Sequence, residues 1–153
     1  MNNREHGFTL LDLIVAITIT AIISAIAMPI YSDFVDRADD SAALAHILEI
    51  QLAIDDFNAR TFAYPDELAE LPGIPTEDPW GNPYSYLRID GNPAKGIKGK
   101  QRKDKNLNPL NTDFDLFSMG KDGETKGPLT AKHSHDDIIR AGNGGFVGRG
   151  EDH

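Results

Sequence analysis

From Leu13 to Ile30 the chain carries no charged side chain, an apolar run of 18 residues. That length just reaches what a helix needs to cross the hydrocarbon layer of a bilayer. Immediately before it, inside the stretch "GFTLLDLIVAITIT" (Gly7–Thr20), stands one acid, Asp12. An unpaired ionised carboxylate in a bilayer costs at least about 2.5 to 3.5 kcal/mol, which is why acids there usually have partners. Asp12 therefore asks for a cation.

Beyond Ile30 the pattern changes from uniformly apolar to amphipathic. Leu44, Ile47, Ile50, Ile54 and Phe57 recur at intervals of three and four, with Asp36, Asp39, Asp40, Glu49 and Asp55 between them. Helix-favouring residues dominate to Asn58 and only Pro29 interrupts, so the sequence predicts one helix from about Phe8 to Arg60, with a bend or melted turn at Pro29. At 1.5 Å per residue such a helix is roughly 80 Å long, against about 30 Å for a bilayer's apolar layer. Half of it must stand outside the membrane.

The remainder reads as a small head. Tyr64–Glu67 suggests a turn opening a short helix through Leu71, and "DPWGNPY" (Asp78–Tyr84) has the Pro and Gly spacing of a tight loop. Two strands are predicted, Tyr84–Ile89 and Phe114–Met119. Everything after Met119 reads as loop, and the Asn143–Gly145 run as mobile. Trp80, Tyr84 and Tyr86 are expected to pack in the core or its turns.

A net charge of −9 argues against general nucleic-acid binding, which relies on Lys and Arg against phosphates. With no cysteine there is no disulfide, thiolate metal site or cysteine nucleophile, so a small head outside the cytoplasm needs another staple.

Three readings compete for the N-terminus. A cleaved secretory signal fits the small residues Ala25–Ala27 and Arg4, but places Asp12 inside the apolar region and cuts the continuing helix. A simple single-span anchor fits the length and leaves Asp12 without a partner. A cut between Gly7 and Phe8 would instead create an α-amino group one helical turn from Asp12. In a parallel bundle the amine of one chain can meet the carboxylate of the next, which makes the buried charge a register-setting device.

The stretch "GFTLLDLIVAITITAIISAIAMPIYSDF" resembles the class III signal of type IV pilins and type II secretion pseudopilins: a short leader ending in Gly7, Phe-Thr-Leu, an acid at the fifth mature position, and Pro29 at the twenty-second. The resemblance implies cleavage after Gly7, N-methylation of Phe8 by a prepilin peptidase, and assembly into a filament around the apolar stem. One departure is that the family acid is nearly always Glu, whereas here it is Asp12. In the head, "DPWGNPYSY" and "DFDLFSMGKDGE" look like the major pseudopilin of type II secretion. That likeness implies a calcium loop with ligands at Asp122, the carbonyl of Met119, and Asp136 and Asp137 of "HDDII".

Calcium chemistry is compatible with an acidic, Gly-rich loop, since the ion takes about six to eight oxygen ligands in irregular geometry. Solvated loop acids are the bland alternative, and no EF-hand pattern is present. "HSHDD" (His133–Asp137) evokes a binuclear hydrolase without enough further histidines to complete one. No P-loop, dinucleotide or Gly-x-Ser-x-Gly signature occurs, so no catalytic residue is expected. "KGIKGKQRKDK" (Lys95–Lys105) gathers six basic residues and reads as a solvated loop, or else as a contact for an acidic neighbour in the filament, an anionic lipid surface or passing DNA.

The sequence thus leads to an α+β, pilin-like chain: a leader at 1–7, a membrane and filament-core helix at 8–30, an amphipathic helix at 31–60, and an antiparallel β head at 61–153. The resemblance makes it a structural subunit, not an enzyme, of a type II secretion pseudopilus, with Phe8, Asp12 and Pro29 serving assembly. Its partners would be copies of itself, minor pseudopilins, the prepilin peptidase, the inner-membrane assembly platform and, before assembly, membrane lipid. It would sit once across the inner membrane, head in the periplasm. The alternatives are a type IV pilus subunit and a tethered monomeric calcium module.

Overall fold

A computed structural model describes residues 9–153. The leader 1–7 and Phe8 lie outside the described residues. The chain divides into two compact units between Ala38 and Asp39.

Helix α1 begins at Leu10 and runs unbroken to Thr61, its residues up to Ala38 belonging to the first unit and the rest to the second. Residues 9–34 are exposed apart from half-buried Ser24, and this apolar stretch is long enough to cross a membrane. Helix continues through Pro29, so the melted turn expected there is not formed. Proline removes one amide donor to the carbonyl of Ala25, a loss confined to one turn when both flanks are good helix.

In the second unit, α1 presents Ala43, Ile47, Ile50 and Ile54 as a fully buried stripe. These residues are spaced by four, three and four, the repeat that keeps side chains on one helix face. The helix ends where Phe62 takes a left-handed φ of 58°. A 3-10 turn at Leu68–Glu70 follows, shorter than the helix expected to Leu71.

Four antiparallel strands form the sheet in the order β1-β2-β3-β4: β1 (Ser85–Arg88), β2 (Phe114–Ser118), β3 (Ile138–Ala141) and β4 (Phe146–Arg149). Ser85 pairs with Phe117, Phe117 with Ile139, and Ile139 with Gly148. The last two strands correct the reading of everything after Met119 as loop. Asn143–Gly145 is the turn of their hairpin, with Gly142, Asn143 and Gly144 all at positive φ.

Alternation along the strands separates two cores. Phe114, Leu116 and Ile138 meet the α1 stripe together with Leu71 and Tyr84, while Trp80 and Tyr86 pack at its margin. Arg140 also reaches the helix side, where its Nε donates to Gln51 at 3.1 Å. On the other face, Ile139 and Ala141 pack with Leu110 and Leu129. The segment between β1 and β2, which includes the short helix α2 (Ile97–Lys100), and the segment between β2 and β3 meet over this second face: the amide of Lys103 donates to the carbonyl of Gly127 at 3.0 Å, and that of Leu129 to the carbonyl of Lys103 at 3.0 Å.

Candidate functional site

The stem carries one charged side chain between Thr9 and Ser32, and it is engaged at the helix start. The amide and hydroxyl of Thr9 both donate to Oδ2 of Asp12, at 2.9 and 2.8 Å. In return the Asp12 amide donates to the Thr9 hydroxyl at 3.3 Å. This is a reciprocal capping box, with Asp in the place that Glu or Gln commonly fills. It satisfies amides that the first turn leaves orphaned. A carboxylate three residues into a helix also lies favourably against the positive end of the helix dipole. Gly7 and Phe8, the other two residues of the processing motif, lie outside the described residues.

In the head, the two motifs that point to one family are physically tied. Asp78 is 5% exposed, and its Oδ1 accepts from the amides of Trp80 and Asn82 at 3.1 and 2.8 Å, which closes the "DPWGN" loop. Ser118, at the end of β2, donates its hydroxyl to the other oxygen of Asp78. Asn82 donates to the carbonyl of Gly120 at 2.9 Å, and the Gly120 amide donates to Ser118 Oγ at 3.0 Å. Gly120 has φ +66°, and a Cβ there would fall 2.5 Å from the carbonyl oxygen of Asp136, so only glycine fits. Asp78, Asn82 and Ser118 had no assigned role in the sequence, although an Asp followed by Pro, Gly and Asn is the usual composition of a side-chain-closed turn.

The four expected calcium ligands go to different neighbours. Asp122 turns back on its own loop, accepting from the Glu124 amide at 2.8 Å, and its other oxygen lies 3.5 Å from His133 Nδ1. His133 makes its shorter contact, 2.8 Å, with Glu124. Asp136 accepts from the amide of Asp122 at 3.1 Å. Met119, just after β2, is half-buried.

Asp137 is fully buried, in a pair with Arg102 at 2.6 Å and a hydrogen bond from Thr125 at 2.6 Å. Burial pushes the Asp137 carboxyl up, and the bonds from Thr125 and the charge of Arg102 pull against it. Among the described residues no group of three or more His, Asp or Glu side chains is arranged to hold a metal ion. These side chains alone do not make a calcium site as they stand. One carboxylate already has its cation, and the others answer amides and a histidine.

The buried Arg102 corrects the reading of Lys95–Lys105 as wholly solvated. Lys95, Lys98, Lys100 and Lys105 are exposed as expected, but Arg102 is 4% exposed. Its amide donates to Asp115 at 2.7 Å, and its guanidinium lies 4.4 Å from the Phe117 ring centroid.

An exposed apolar helical stem opened by a carboxylate, leading into a helix packed on a four-stranded antiparallel head, defines a pilin-type subunit. The family described as "Prokaryotic N-terminal methylation motif" matches residues 2–28. Type II secretion system core protein G of Pseudomonas aeruginosa is 30% identical over 81% of this chain and 89% of its own length, and that of Aeromonas hydrophila 30% over 79% and 86%. The chain belongs to the type II secretion system core protein G family. Type IV major pilin protein PilE1 of Neisseria gonorrhoeae is 25% identical over 92% of this chain and 67% of its own length. No solved structure matches.

Proposed function

We propose that this chain is the major structural subunit of a type II secretion pseudopilus, a filament that grows by adding copies of the chain and thereby moves folded proteins outward. What carries the reading is the stem: an apolar helix surface left exposed over residues 9–34, opened by a single capped carboxylate, on a chain related to core protein G along most of its length. Burying a Leu or Ile side chain contributes about 1.5 to 3 kcal/mol, so a stem with this many exposed aliphatic residues is stable only in lipid or against other stems.

The sequence of events follows from that. A prepilin peptidase cuts after Gly7 and methylates the new amino group on Phe8. Before assembly, residues 8–30 hold the chain in the inner membrane with the head in the periplasm. The assembly platform then extracts subunits, minor pseudopilins accompany the filament, and stem exchanges lipid contacts for stem contacts. Phe8 and Asp12 set register between copies, and Pro29 relaxes one turn of the stem by its missing amide. The role is mechanical, and no chemistry is assigned to the His133 and His135 segment.

Deleting the gene in the native host tests this against the pilus reading. Secreted enzymes are expected to accumulate inside the cell while surface twitching persists, with complementation restoring export. Normal secretion with lost twitching would instead make the chain a type IV pilus subunit.

A further inference from the structure

A calcium ion implied for the loop between β2 and β3 would have to share Asp137 with a guanidinium. We propose that Arg102, delivered by the basic segment Lys95–Lys105, is the resident cation of this loop, and that the head of this chain holds together without calcium.

Arg102 joins three stretches of chain that no covalent cross-link connects. Its amide holds Asp115 of β2 at 2.7 Å, its Nη2 holds Asp137 at 2.6 Å just before β3, and its Nη1 meets the hydroxyl of Thr125 between them. Thr125 closes the triangle by donating to the same Asp137 oxygen at 2.6 Å. The guanidinium plane rests on Phe117, a face well suited to arginine. On either side the backbone continues the join, through Lys103 to Gly127 and Leu129.

Two buried atoms in this cluster have no hydrogen-bond partner, Arg102 Nε and Asp137 Oδ1. They are a donor and an acceptor on the two halves of one ion pair. They are also the atoms that the second arm of a bidentate Arg–carboxylate fork joins. The orphaned oxygen thus belongs to a carboxylate whose other oxygen already holds a cation.

A divalent ion at Asp137 would lie against a fixed positive charge, and of the other expected ligands Asp122 and Asp136 already accept backbone amides, leaving the carbonyl of Met119. The chain has no cysteine with which to close the loop otherwise. A side-chain cation is permanently bound and does not respond to the free calcium of its surroundings. Head stability, and with it the supply of assembly-competent subunits, is therefore independent of divalent ions.

The test is thermal unfolding of the full-length, detergent-solubilised chain, followed through its single tryptophan, Trp80, in EGTA and in millimolar calcium. The parent is expected to melt at the same temperature in both. Arg102→Met keeps the aliphatic stem and strands Asp137, and is expected to melt roughly 10 °C or more lower, as for one half of a broken buried pair. Adding Asp137→Asn to it removes the stranded charge and is expected to recover most of that loss. A parent stabilised by several degrees on adding calcium overturns the proposal, and so does an Arg102→Met chain that melts with the parent. If Arg102→Met alone yields no folded protein, the parent in the two buffers and the double variant still decide.

Discussion

Asp115 shows how one side chain in this head sets a pH dependence. It sits on β2, is 1% exposed, and accepts from the Arg102 amide at 2.7 Å and from Asn111 at 2.9 Å. Burial pushes its carboxyl above the usual range, and those two hydrogen bonds and the Arg102 charge only partly oppose it. The folded chain therefore takes up this proton at a higher pH than the unfolded chain. The resulting stability is complete below the unfolded value and is lost as pH rises through the folded one. Asp115→Asn keeps an acceptor and has no proton to gain. In melting curves taken from about pH 7 down to about pH 4, the parent is expected to gain on Asp115→Asn steadily as pH falls. A constant gap would mean that burial does not govern this carboxyl.

Among the elements, what could be read in the sequence was what repeats. The stripe Ile47, Ile50 and Ile54 and the aromatic strand β2 announce themselves by period, and both are where the core lies. Ala43, too small to weigh in a hydropathy pattern, completes the stripe in the register where the bulkier Leu44 is only partly buried. The β3–β4 hairpin escaped because its strands are four residues each, joined by a Gly-Asn-Gly-Gly turn and interrupted by Arg140 and Gly148. Such a turn is itself a hairpin signal, and its glycine content read instead as mobility. Arg102 was illegible for another reason. Its partner Asp137 is 35 residues away, and within a basic stretch nothing local separates the one buried cation from its solvated neighbours. Because Ile50 lies fully buried at the centre of the α1 stripe that closes the first core, Ile50→Ala is expected to cost about 2 to 5 kcal/mol, measured by denaturant unfolding. A loss under about 1 kcal/mol would mean that the sheet closes over the site without the helix.

At the scale of the whole molecule, the division between Ala38 and Asp39 separates what assembles from what folds. The head unit has its own cores and ion pairs, whereas the stem unit's apolar side chains are exposed to whatever surrounds it. Asp12 belongs wholly to the stem. Thr9 donates two hydrogen bonds to one of its oxygens but is neutral, so the formal charge still needs a cation once water is removed. The amine that the proposed cleavage after Gly7 would expose, on the same chain or the next copy, would be a cation of the right sign. Substitutions at Asp12 should then separate assembly from folding. Asp12→Ala is expected to leave the head's melting temperature unchanged while filaments sheared from cells, and secretion with them, fall to background. Asp12→Glu restores the charge and is expected to retain both. Thr9→Ala, which removes the hydroxyl half of the cap and leaves the charge, is expected to lower filament yield only modestly, since exchanging a cap residue for Ala costs about 1 kcal/mol. If Asp12→Ala assembled like the parent, the carboxylate would be no more than a helix cap. A Thr9→Ala loss as complete as that of Asp12→Ala would make the cap, and not the charge, what assembly requires.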